Sequence, residues 1–233
     1  MSNLDTYLQK HFLNAEQFAV KCNISVDKLE DLVRRHLVPA PSYVVSDSST
    51  VSSFVFGEMA AKESKPGQYF HPANVVWVGV ARGIIETHGE EKASEIIRNR
   101  FYQNFQAALS DLNQTTMRLP DSFTDEGAPI AAGVGARTDL VWKHFLKGTF
   151  GLCVANPISE AAIARKEVLQ EKLSQQSDNG MRTEYSPEEV SAILELVNEF
   201  AAVAMPFSPI EYHLSSRKIL VDDMRDRLGA VGY

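Results

Sequence analysis

Residues Val75 to Ile85 constrain this chain more than any other stretch. Val75, Val76, Trp77, Val78, Val80, Ala81, Ile84 and Ile85 crowd a segment opened by Pro72 and closed by Gly89. A helix there is apolar on nearly all faces, and Arg82 is its only charge before Glu86. Such a helix is expected in the middle of a globule, wrapped by other elements. The chain can supply the wrapping: 44% of its 233 residues are hydrophobic, enough for a substantial core. No apolar run approaches the roughly 18–20 residues of a membrane-spanning helix.

The remaining pattern is also helical. Asn14 with Gln17, and Ser186 with Glu189, read as capping boxes, and Ser25 opens a third short helix. A long amphipathic helix is expected from Glu90 to Leu112, then a connection from Asn113 to Ala136, then a short helix from Thr138 to Leu146. Asn156-Pro157 opens another. The stretch 46–53 is polar and serine-rich, and residues 62–68 read as loop. Ser208-Pro209-Ile210-Glu211 has the form of a further capping box and predicts a C-terminal helix. The expected fold class is mainly α: a single helical globule of about nine helices. Residues 1–45 form a helix-turn-helix-like N-terminal unit, continuous with a helical core over 46–233.

Charge bears on partners. The net charge of −7 disfavours nucleic acid and anionic membrane surfaces. The stretch from Asn14 to Pro41 resembles the opening of MerR-type regulators. A DNA-reading helix should be net positive, yet here Lys28, Arg34 and Arg35 face Asp27, Glu30 and Asp31. A DNA- or protein-binding regulator built on this unit is therefore the alternative reading, and nucleic acid is not the expected partner. The two cysteines, Cys22 and Cys153, form no CxxC pair and are expected as reduced thiols. The N-terminus has no basic region followed by an apolar run, so the expected location is the cytoplasm.

Candidate site residues emerge from polar groups in apolar settings. Projection of the C-terminal helix puts Ile210, Leu214, Val221, Met224 and Leu228 on one stripe, with Arg217 in its middle and His213 at its flank. A desolvated arginine needs a partner, and Arg82 poses the same question. Both are candidate ligand-binding residues for a carboxylate or phosphate; a buried ion pair or a helix-capping role is the plainer reading. Cys153 comes after a glycine turn and precedes a helix N-terminus, where a thiol pKa can fall, which makes it a third candidate ligand-binding residue; a buried structural cysteine is the plainer reading. His71, His144 and His213 lie in apolar contexts. They are the candidate catalytic residues, since histidine titrates nearest neutrality. As a set they also give a second alternative, a His-ligated metalloenzyme, although no HExxH or i, i+4 pair supports it and no metal is assigned. His11, His36 and His88 read as surface or helix-end residues. Gly133-Val-Gly135-Ala-Arg137 suggests a phosphate-cradling loop only weakly, because no strand precedes it.

Four blocks carry a resemblance. They are Leu37-Val-Pro-x-Pro-Ser-Tyr43, Tyr69-Phe-His-Pro72, Gly148-Thr-Phe-Gly-Leu-Cys153 with Asn156-Pro157, and Pro206-Phe-Ser-Pro-x-Glu-Tyr212 with Ser215-Ser-Arg217. Together they resemble an uncharacterised bacterial family of unknown function labelled "natural product biosynthesis protein", over about residues 3–228. The resemblance implies a role in small-molecule biosynthesis and implies no reaction, cofactor or catalytic residue. The leading expectation is a cytosolic protein that binds an anionic metabolite in an internal pocket. No membrane partner is expected, and a homodimer is left open.

Overall fold

The computed structural model describes residues 3–61 and 64–231. Helix α1 (Asn3–His11) turns Leu4, Tyr7 and Leu8 inward. Strand β1 (Leu13–Asn14) runs directly into α2 (Ala15–Cys22). The expected capping box is present: Asn14 Oδ1 accepts from the Gln17 amide, and the Gln17 side chain accepts from the Asn14 amide. Asn23 ends α2 in the left-handed region, at φ 54°. Ser25 then caps α3 (Val26–Arg34) through the Lys28 amide.

Beyond α3 the chain builds a five-stranded antiparallel sheet, an element absent from the sequence-based expectation. It comprises β1, β2 (Tyr43–Val45), β3 (Thr50–Ser53), β4 (Gly57–Ala60) and β5 (Gly67–Phe70), in the order β1-β5-β2-β3-β4. Tyr43 pairs with Tyr69 and Val45 with both Gly67 and Val51. The polar, serine-rich stretch supplies β3. Strands of two to four residues are too short for period-two alternation to register, and TVSS and GEMA offer few apolar side chains. The apolar run Phe54-Val55-Phe56 is the turn between β3 and β4.

Helix α4 (Val75–His88) is only half as enclosed as expected. Trp77, Val78 and Ala81 are buried, while Val76, Gly79 and Gly83 are exposed. The glycines give the outer face little to bury, so α2 and α5 (Glu90–Thr115) cover one side alone. Helix α5 lays Ala93, Ile97, Phe101, Phe105, Leu109 and Leu112 along its inner stripe. Phe101 meets Phe145 at 4.7 Å and Trp142 at 5.1 Å between ring centroids. Helix α6 (Ala131–Leu146) starts seven residues earlier than the sequence suggests. Gly133 and Gly135 lie inside it, so they form no phosphate loop. Gly133 serves close packing instead: a Cβ there would lie 1.7 Å from the Asp121 carbonyl oxygen. Arg137 is held by Asp121 at 2.8 Å and by Glu171.

The turn after α6 requires glycine for two reasons. Gly148 adopts φ 74°, and a Cβ on it would sit 2.4 Å from the Ala40 oxygen and 2.7 Å from the Pro41 oxygen. Its own carbonyl accepts from Ser42 Oγ at 3.1 Å. The short helix α7 (Thr149–Cys153) is thereby pressed against the segment leading into the sheet. Helices α8 (Glu160–Gln176) and α9 (Pro187–Val203) pack together; Ser186 caps α9 as expected, while α8 is capped by Ser159, beyond the Asn156-Pro157 start read from the sequence.

The C-terminal segment departs from its expected helix. Ser208 and Glu211 do not cap one; residues 209–211 form a turn and Tyr212–Leu214 a single 3₁₀ turn. Ser208 Oγ instead donates to the Glu211 carboxylate at 2.9 Å. The helix starts at Ser216 and passes through a π-helical turn, Lys218–Asp222, before α10 (Asp223–Val231). Val221, Met224 and Leu228 are buried on a shared stripe, while Leu214, on the separate 3₁₀ turn, is exposed. Arg217 leaves the stripe, and its Nη1 donates to the Ala201 and Ala204 oxygens at 3.0 and 3.1 Å, at the C-terminus of α9.

The largest apolar cluster joins Leu4, Tyr7 and Leu8 of α1 to Phe101 and Phe105 of α5, Val168 of α8 and Phe207. The architecture is mainly α with one small sheet. Among the described residues no helix is long and apolar enough to cross a membrane.

Two stability measurements check this packing. Gly148→Ala is expected to cost about 2–5 kcal/mol, from left-handed strain plus the carbonyl clash. Gly83→Ala, on an open helical face, is expected to stabilise by about 0.5–1 kcal/mol. Chemical denaturation of the two variants should give these opposite signs. Arg217→Met should cost about 1.5–3 kcal/mol, because it removes charged hydrogen bonds from the end of α9. A melting temperature equal to wild type would contradict the capping role.

Candidate functional site

A cavity of about 440 Å³ opens between α6, α7, α8, the β3–β4 turn and the C-terminal segment. Its buried wall carries Thr149, Phe150, Cys153 and Lys166. Its outer wall carries Val55, Leu140, Leu214 and Ile219, all exposed.

Lys166 is the least expected of these residues. On α8 it lies three residues from both Ile163 and Leu169, which are fully buried, so it shares their face. It is itself 4% exposed. Its Nζ donates to Glu167 Oε1 at 2.8 Å. Burial alone would lower the ammonium pKa; the Glu167 carboxylate, with the Cys153 sulfur as a second hydrogen-bond partner, outweighs it and keeps the value above that of an ordinary lysine. Lys166 therefore stays charged at neutral pH. Cys153, at the end of α7, is buried, and burial pushes its thiol pKa up, so it is a neutral thiol at physiological pH. Its carbonyl accepts from the Met205 amide at 3.1 Å, tying α7 to the chain leaving α9.

His144 lines the cavity from α6. Its Nδ1 lies 3.2 Å from Thr149 Oγ1, and its ring meets Phe54 edge-on at 5.4 Å. Burial lowers its pKa against the opposing pull of Glu167, so the imidazole is neutral near pH 7. Gln170, one turn beyond Lys166, also lines the cavity, and its Oε1 is shielded from solvent without a hydrogen-bond partner.

Of the six residues singled out from sequence, the structure brings His144 and Cys153 to this cavity. His71 is buried elsewhere, beside Phe12 at 5.9 Å, and its Nδ1 accepts from the Ala73 amide at 3.1 Å. Burial pushes its pKa down to about 4. His213 is exposed on the 3₁₀ turn. Arg217 is engaged with the end of α9. Arg82 donates to the Cys22 oxygen at 3.2 Å, at the end of α2, and lies 3.9 Å from Glu86. Neither arginine is among the residues that line the cavity. The three histidines do not converge, and among the described residues no three His, Cys, Asp or Glu side chains gather to hold a metal ion.

On α3 and its C-cap, Lys28 and Arg35 reach Glu90 at 3.3 and 2.9 Å, and Arg34 reaches Asp31 at 2.5 Å. The cations of this helix are thus balanced by carboxylates of the same fold.

Sequence reasoning missed Lys166, Glu167 and Gln170. The signal is present in the sequence: Lys166 sits three residues from the aliphatics Ile163 and Leu169, much as Arg217 sits between Leu214 and Val221.

No curated protein and no solved structure matches the chain. A family of unknown function, DUF6058, matches residues 97–229. That span begins within α5 and ends in α10, so it leaves the N-terminal helices and the sheet outside and is shorter than the span of about 3–228 expected from the motif blocks. It contains every cavity residue except Val55 and Phe56. With more than half of its length matched, the chain belongs to this family of unknown function, DUF6058.

Proposed function

We propose that this protein binds a small anionic metabolite in the cavity between α6 and α8, as a cytoplasmic component of small-molecule biosynthesis. The observation that carries the reading is Lys166, a charged ammonium 4% exposed at the wall of an open cavity of about 440 Å³. A cavity of this size suits a metabolite-sized ligand. An ammonium has three N–H donors. Glu167 takes one and Cys153 adjoins, which leaves a donor for a ligand oxygen. A buried charge with a single carboxylate partner gains from a second anion, because the low local dielectric strengthens the attraction. The partnerless Gln170 Oε1 supports the same reading: an orphaned acceptor is costly, and a ligand N–H or O–H beside the anionic group would satisfy it. His144, neutral and next to Thr149, is the proton acceptor available to a bound ligand.

Isothermal titration with hexanoate and with hexylamine tests the reading. Hexanoate should bind and hexylamine should not. Lys166→Met removes the ammonium but keeps an unbranched apolar side chain, and should weaken hexanoate binding by about 10- to 100-fold, the worth of a charged hydrogen bond. Equal binding of the acid and the amine, or an unchanged affinity in Lys166→Met, would remove the anion from this account.

A further inference from the structure

Polar groups lie on the buried wall of the cavity, and large apolar side chains stand exposed at its mouth. Lys166, Cys153 and Thr149 are at most 7% exposed. Val55, Leu140, Leu214 and Ile219, which line the same cavity, are 44%, 57%, 48% and 37% exposed. Phe54, 45% exposed, stands beside them against His144, with Lys147 5.9 Å from its ring centroid. Half of the large hydrophobic side chains exposed among the described residues thus surround one opening. Scattered apolar residues are ordinary on a protein surface; a contiguous group around a cavity marks a binding surface.

A compact polar anion held at Lys166 would leave this rim in water. It would also underfill the space, since about 440 Å³ is the volume of roughly fifteen liquid waters. An unbranched apolar chain attached to the anion meets both conditions. It fills the space between floor and mouth, and it removes Val55, Leu140, Leu214 and Ile219 from solvent. The rim is built to stay in place: the β3–β4 turn is tied to the C-terminal segment by Ser53 Oγ donating to Glu211 Oε1 at 3.1 Å, and Phe56 packs edge-on against Phe207 at 5.8 Å.

We infer that the ligand is an acyl amphiphile bound head first, its carboxylate at Lys166 and its alkyl chain against the Val55, Leu140, Leu214 and Ile219 rim. This inference rests on the proposed anion site and adds the ligand class and its orientation. A straight-chain carboxylate series from four to twelve carbons, titrated into the full-length protein, separates the two. Affinity should rise about three- to fourfold per methylene until the rim is covered. Leu140→Ser, a surface change on α6 that leaves the core intact, should flatten this rise for the longer chains. Lys166→Met should weaken every member by a similar factor. Binding of the carboxylates with no dependence on chain length overturns the amphiphile and leaves the anion site standing. Binding of decylamine as tightly as decanoate, with the same length dependence, retains the tail site and overturns the head group. If instead Leu140→Ser leaves the length dependence intact but abolishes a dimer seen by sedimentation, the rim is covered by a second copy and the inference fails.

Discussion

The buried carboxylate of Glu211 holds the two halves of this fold together. It is 1% exposed and accepts three hydroxyl hydrogen bonds: from Tyr43 at 2.7 Å, from Ser208 at 2.9 Å and from Ser53 at 3.1 Å. Tyr43 and Ser53 belong to the sheet, while Ser208 belongs to the segment between α9 and α10. Burial of a carboxylate is costly unless its oxygens are satisfied, so the group tolerates only arrangements in which sheet and C-terminal segment are both in place. That requirement is a constraint on geometry more than a large net gain of stability. Tyr7 stands edge-on to Tyr43 with ring centroids 6.3 Å apart, which brings α1 against the same group.

The cavity is a consequence of this tie. Phe56 and Val55 come soon after Ser53, and Phe207 and Leu214 flank Glu211 on either side. Fixing Ser53 to Glu211 therefore sets the width of the mouth. The opposite wall is positioned by a different constraint. Gly148 and Gly151 let α7 approach the Ala40–Ser42 segment and His71 more closely than any side chain would allow, and this seats Thr149 and Cys153 at the floor. The blocks Leu37–Tyr43, Gly148–Cys153 and Pro206–Tyr212, distant in sequence, meet because backbone close approach and one shared carboxylate bring them together.

Much of the helical framework is legible in the sequence. Local chemistry specifies it: Asn14, Ser25 and Ser186 place their oxygens on helix N-termini in the spacing that capping demands. The sheet is not legible there, because its strands draw their stability from pairing across the chain and not from residues within them. Ser208 and Glu211 show how a local signal can mislead. Their spacing is that of a capping box, yet the glutamate is taken by Tyr43 from 168 residues away. Arg82 and Arg217 stand out in the sequence as arginines in need of partners, and helix-terminal carbonyls supply them. Half of the cavity chemistry is visible in His144 and Cys153. Lys166 escapes notice because a lysine among Arg165, Glu167 and Lys172 reads as part of a solvated face. Its burial is decided by the packing of α8 against α5 and α9.

The pH dependence of stability measures the Glu211 tie most directly. Burial raises the Glu211 pKa above its ordinary value of 4.5, so between that value and its folded-state pKa the native state holds a proton that the unfolded chain has released. This proton stabilises wild type fully below about 4.5, and its contribution is lost as pH rises through the folded-state value. Glu211→Gln has no such proton. Urea denaturation of both proteins from pH 7.5 down to 4.5 should show wild type gaining stability relative to Glu211→Gln as pH falls. A difference between the two that is constant across this range, or that moves the other way, would contradict a buried carboxylate at the centre of the fold.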